Sequence, residues 1–126
     1  MNMLLAVAAG GALGALSRYW LFGRVAGLVG NTFPWATLTA NVLGCFLLGV
    51  IIEVSALVWT PSPELRAFLI VGLLGAFTTF STFSVEVYLM AERGQWEMAA
   101  LYVVGSVVLS IGGLFAGLHL FRVILT

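Results

Sequence analysis

Four long apolar runs separated by short polar breaks organise the chain. The first covers about 3–22 and ends in Ser17-Arg18-Tyr19-Trp20-Leu21-Phe22. A segment rich in Gly, Asn and Pro, Gly27 to Pro34, interrupts the pattern. The second run covers about 35–59, with Trp35 and Trp59 at its ends, and Pro61 and Pro63 follow it. The third covers about 66–90 and the fourth about 97–124, joined by the polar link Ala91 to Trp96. A bilayer core about 30 Å thick is crossed by roughly 20 apolar helical residues, so each run is long enough for one crossing. Tyr19, Trp20, Trp35, Trp59 and Trp96 fall near run ends, where amphipathic rings sit among headgroups. The runs are continuous rather than alternating, which argues against barrel strands. The expected fold is an all-α membrane protein with four transmembrane helices in one domain, 1–126. The loops are too short for a second domain.

Composition agrees with the pattern. Hydrophobic residues make up 62% of the chain and charged residues 8%, with a mean hydropathy of +1.15. Soluble domains are roughly 45–50% apolar and about 25% charged. This excludes a soluble enzyme, a disordered chain, a nucleic-acid binder with a basic face and a disulfide-stapled module. The five bases are all Arg and the five acids all Glu, giving a formal net charge of zero. Cys45 has no second cysteine to pair with, and its apolar run makes it a small buried packing residue. The N-terminal run resembles the apolar core of a signal peptide. It lacks a basic n-region and is interrupted by Gly10, Gly11 and Gly14, so it reads as a first membrane helix.

Charge gives almost no orientation. With four crossings, the termini and the second loop share one side, which carries Arg66 and Arg122. The other side carries Arg24 and Arg93, with Arg18 inside the first run. Lys and Arg favour the cytoplasm, and the count is two against two without Arg18. Either one edge residue or the translocon decides, or copies insert both ways and pair antiparallel. The chain has no internal repeat, so inverted symmetry would need two chains. Gly10/Gly14 and Gly113/Gly117 are small-xxx-small pairs, and Gly72 and Gly75 lie on the third run. Such residues allow close backbone approach, within one chain or between two.

Polar residues within a membrane are costly, so each is a functional candidate. Asn41 lies mid-way along the second run, with Thr37 one turn earlier on the same face. Its amide is either a helix clasp or a pore lining. Arg18 either snorkels to the interface or faces an aqueous vestibule, where it would concentrate anions. Glu53 and Glu86 lie near run ends and read as structural, and Glu86 could pair with an Arg. The oddest stretch is Phe77-Thr78-Thr79-Phe80-Ser81-Thr82-Phe83-Ser84, with five hydroxyls in seven positions. It suits a broken helix, tolerated at that depth only within protein or beside water. Phe80 and Phe83, three apart, share a helix face. Their electropositive ring edges beside hydroxyls and an amide would suit a small anion; the alternative is polar-clasped helix packing. Tyr102, Ser106 and Ser110, spaced by four, form one stripe on the fourth run, either a continuation of the path or a packing clasp. Catalysis has little support: His119 stands alone near the end of the fourth run, there is no Asp, and no metal cluster or phosphate loop appears.

These residues resemble the small bacterial fluoride channels of the Fluc/CrcB family. The likeness runs from about Gly10 to Gly117. It comprises the first-run Gly10-Gly11-Ala12-Leu13-Gly14-Ala15-Leu16-Ser17-Arg18-Tyr19, the second-run Thr37-Leu38-Thr39-Ala40-Asn41-Val42-Leu43-Gly44, and the third-run Gly72 to Ser84 with its Thr-Thr-Phe-Ser-Thr-Phe-Ser core. The third is the most specific. The resemblance implies an antiparallel, dual-topology homodimer in the bacterial inner membrane, with two pores that export fluoride passively. It implies that Phe80 and Phe83 from both subunits meet fluoride through their ring edges. Asn41, Tyr102 and Ser106 would line the path, with Ser110 and Thr82 as further candidates and Arg18 at an anion-accessible vestibule or stabilising the fold there. It also implies a structural sodium ion at the dimer centre, held by the backbone carbonyls of Gly75 and Thr78. Ala36 and Ala76 stand where the family usually has Gly.

Two other classes compete. A small proton-coupled multidrug transporter would need a carboxylate deep in the membrane, whereas the first run carries Arg18 and no acid. A non-transporting assembly subunit would expose a polar face that only a partner covers. A membrane enzyme has no constellation to work with.

Overall fold

The computed structural model describes residues 2–126, and the described residues contain helices and no strand. Four helical stretches are long and apolar enough to cross a membrane: Met3–Val29, Trp35–Leu57, Pro63–Glu92 and Trp96–Leu125. The first is α1 and the second α2. The third is composite. It begins as α3 (Pro63–Arg66), widens into a π-helical segment (Ala67–Leu74), closes as α4 (Gly75–Phe77), and resumes after an interruption as α5 (Phe80–Glu92). The fourth is α6 (Trp96–Leu125).

Local chemistry sets the ends. Asn2 caps α1 by accepting from the Leu4 N–H at 2.6 Å. Ser62 caps α3 by accepting from the Leu65 N–H at 3.2 Å, with Pro63 at the first helical position, where no N–H is needed. The turn into α6 uses Gly94 at φ 75°, a conformation that side chains resist. α1 runs seven residues past the expected end at 22. Gly23 and Gly27 do not stop it, because a single glycine costs a helix only about 1 kcal/mol. It ends instead at Gly30, whose N–H reaches the Ala26 carbonyl.

Glycines set the packing. A Cβ at Gly10 would run into the Phe68 carbonyl, and one at Gly14 into the Leu73 carbonyl. One at Gly72 would lie 2.8 Å from the Val7 carbonyl. On the other side, a Cβ at Gly117 would run into the Phe46 carbonyl, and one at Gly49 into that of Leu114. These glycines join α1 to the first half of the third span and α2 to α6 within one chain, the two most extensive helix contacts of the fold. The Ala76 methyl packs towards Gly14, where an added Cβ would meet it at 3.0 Å.

Candidate functional site

The third span loses its helix at two residues. Thr78 (φ −113°, ψ 126°) and Thr79 (φ −133°, ψ 116°) are extended, and side chains take up the polar groups this frees. Thr78 turns its hydroxyl back to donate to the Leu74 carbonyl at 2.9 Å. Thr79 donates its N–H to Asn41 Oδ1 at 2.6 Å, and its carbonyl accepts from Asn41 Nδ2 at 3.2 Å. The Thr79 hydroxyl accepts from the Thr82 N–H at 3.2 Å and so caps α5. Asn41 is therefore a clasp from α2 onto the break, with one amide hydrogen left over.

A groove of about 400 Å³ opens beside the break. Asn41, Thr79, Phe80, Phe83, Ser106 and Ser110 line it, and Cys45 borders it. The half-buried Cys45 is thus a wall residue as well as a packing one. No side chain on this wall carries a formal charge. The Phe80 and Phe83 rings lie 5.5 Å apart at 51°. Phe83 is buried, whereas Phe80 is 78% exposed. The Ser106 hydroxyl is buried and has no hydrogen-bond partner among the described residues.

Other sequence candidates lie elsewhere. Tyr102 is 1% exposed and does not line the groove. Its ring packs on Phe83 at 5.0 Å and on Phe33 at 5.3 Å, and its hydroxyl donates to Glu86 Oε1 at 2.7 Å. Thr82 is half-buried on α5 and does not line the groove. Arg18 is half-buried on α1 and makes no hydrogen bond or ion pair among the described residues. Gly75 opens α4, and Thr78 follows its end and borders the groove. His119 is exposed.

The carboxylates divide the roles differently from the sequence reading. Glu86 takes no Arg; its oxygens accept from Tyr102 and from the Thr37 hydroxyl at 2.9 Å. Hydroxyls satisfy it because α5 faces α2 and α6 at this level. Glu53, 3% exposed, is the residue that pairs with an Arg, accepting from Arg122 Nε at 2.8 Å. Glu86 also faces a second cavity of about 600 Å³, walled by Tyr19, Phe22 and Phe33 with Arg93 among its lining. Thr79 and Glu86 were not singled out for the site from sequence. A signal for Thr79 existed: a threonine directly before a resumed helix is a favoured N-cap.

Four apolar spans, the third interrupted beside an uncharged groove, define a small multi-pass membrane protein. The profile of the family described as "CrcB-like protein, Camphor Resistance (CrcB)" matches residues 5–118. A protein of Rhodospirillum centenum named "Fluoride-specific ion channel FluC" is 57% identical over 122 residues, 97% of each chain. Proteins of the same name from Nitrobacter winogradskyi and Geobacter sulfurreducens are each 47% identical. They align over 98% of both chains in the first case, and over 94% of this chain and 95% of the relative in the second. The chain belongs to the CrcB-like family.

Proposed function

We propose that this protein is a fluoride-selective passive channel that exports fluoride across the bacterial inner membrane. The observation that carries the reading is the groove: two phenylalanine rings beside an asparagine amide and an unpartnered buried serine hydroxyl. Relatives that align over nearly the whole chain and are named fluoride-specific channels supply the ion. A small anion leaving water needs donors to replace its shell. The Ser106 and Ser110 hydroxyls, the remaining Asn41 amide hydrogen and the positive ring edges of Phe80 and Phe83 are such donors. The lack of a cation on the wall favours release, since conduction requires binding weak enough to leave. Tyr102 acts through the Phe83 ring it packs on, Thr82 precedes that ring on α5, and Arg18 on α1 would face an aqueous vestibule or stabilise the fold there.

The working unit is an antiparallel, dual-topology homodimer. Near-balanced arginines favour insertion both ways, and a second copy would cover the exposed Phe80 and close the groove. A sodium ion fits the chemistry at the break. In a continuous helix the Gly75 carbonyl would accept from the Thr79 N–H, and the Thr78 carbonyl from the Thr82 N–H. Here those N–H groups go to Asn41 and to the Thr79 hydroxyl, which leaves hard oxygen donors suited to a hard cation. Bound there, sodium would supply positive charge that ties the two breaks together.

The test is fluoride efflux from liposomes holding the purified protein, read by an ion-selective electrode under a potassium gradient with valinomycin, with chloride as control. Rapid fluoride release with little chloride release is expected. No fluoride release from a verified dimer would overturn the reading.

A further inference from the structure

We propose that Thr79 is the positioning residue of the groove: it fixes where α5 begins and so aims the Phe80 and Phe83 rings. The inference rests on the channel reading and adds a role for a residue that need not meet the ion. Thr79 has each of its polar groups engaged. Its N–H and carbonyl are clasped by Asn41, its hydroxyl oxygen accepts from the Thr82 N–H, and that oxygen lies 3.3 Å from Ser81 Oγ. It is 6% exposed, so water cannot readily replace these bonds.

The two neighbouring threonines divide the break between them. Thr78 bonds backwards, to the Leu74 carbonyl, and closes the helix before the break. Thr79 bonds forwards, to the Thr82 N–H, and opens the helix after it. First-turn N–H groups have no partner within their own helix. Without the hydroxyl, α5 would fray at its start, and the frayed residues include Phe80 and Phe83. The first ring has little packing of its own to hold it, being 78% exposed and touching Phe83 alone among the ring pairs. Within one chain the cap therefore restrains Phe80 more than burial does.

The experiment compares wild type, Thr79→Val and Thr79→Ser in two measurements: fluoride efflux from liposomes, and amide hydrogen exchange of the purified protein. Val keeps the shape and removes the oxygen, whereas Ser keeps the oxygen. Thr79→Val is expected to slow efflux about tenfold and to speed exchange of the Thr82 amide by a similar factor. Exchange across Ala67–Leu74 should not change, and Thr79→Ser should restore both readouts. If the Val variant does not yield dispersed protein, Thr79→Ala removes the same oxygen with a smaller side chain. Unchanged Thr82 exchange without the hydroxyl overturns the proposal, and so does faster exchange with wild-type efflux. Absence of efflux from wild type strikes the channel reading instead, and the exchange measurement still decides whether Thr79 caps α5.

Discussion

The two halves of the third span are held by different means. The first half, up to Phe77, packs on α1 through backbone contacts at Gly10, Gly14 and Gly72. The second half, from Phe80, has no extensive contact with α1; it packs Phe83 and Met90 against Ala99 and Tyr102 of α6 and adds hydrogen bonds from Asn41 at its start and from Thr37 and Tyr102 to Glu86. Lipid tails are as apolar as leucine, so apolar burial alone does little to bind helices in a membrane. What remains is close van der Waals approach or polar bonding: the first half relies on backbone approach at its glycines, and the second adds side-chain hydrogen bonds to its ring packing. The glycine half forms a fixed base. The bonded half carries the polar groups and leaves a ring uncovered beside the groove.

The largest test of this contrast is Gly72→Leu. The new side chain would begin 2.8 Å from the Val7 carbonyl and 2.9 Å from the Gly10 Cα, both backbone atoms that cannot step aside. Overpacking of this kind costs about 3 kcal/mol, a large share of an ordinary folding stability of about 5–15 kcal/mol. Size-exclusion profiles and thermal unfolding in detergent would read it. Gly11→Ala, where nothing lies within 4 Å of the added carbon, should leave both unchanged. Equal damage from the two would show that α1 is not held as described.

In the second half, Phe80→Ile and Phe83→Ile remove the ring edges. Each should lower fluoride flux about a hundredfold, or ~2.7 kcal/mol on the barrier, with the oligomer intact on size exclusion. Unchanged flux would remove the ring-edge role. Asn41→Leu comes next. It orphans the Thr79 N–H and carbonyl, at about 1–3 kcal/mol for each buried group left unpaired, and should reduce flux at least about tenfold. Survival of flux would mean that the break holds its shape without the clasp.

Much of this was legible in the sequence. Hydropathy alone gives four spans, and the crowding of hydroxyls at Thr78–Ser84 marks where the third one opens. The pairing of Phe80 with Phe83 follows from their spacing. Helix periodicity also makes Tyr102, Ser106 and Ser110 one stripe, yet only the two serines face the groove. The reason is tertiary: Glu86 draws the Tyr102 hydroxyl to itself, and no single-helix pattern can show which neighbour wins. The carboxylate partners were hidden for the same reason, since Glu53 and Arg122 stand 69 positions apart. The end of α1 was misjudged because glycine weakens a helix without ending it, and only the geometry at Gly30 does so.

Tyr102→Phe has the smallest expected effect and separates two uses of one side chain. The ring packs on Phe83, while the hydroxyl serves Glu86. Phenylalanine keeps the first and loses the second. Hydrogen bonds to charged groups contribute about 1.5–3 kcal/mol. Here the loss should fall below that range, because Glu86 retains the Thr37 hydroxyl and also faces a cavity wide enough for water. A destabilisation of about 1 kcal/mol is expected, with flux lowered no more than about threefold. Thermal unfolding and liposome efflux of the same preparation would measure both. If flux instead fell as far as in Phe83→Ile while stability held, the hydroxyl would lie on the ion path and the groove would extend past the ring pair towards Glu86. If stability fell and flux did not, the polar bonds of the second half would be fasteners only, and ion selection would rest with Phe80, Phe83, Asn41 and the two serines.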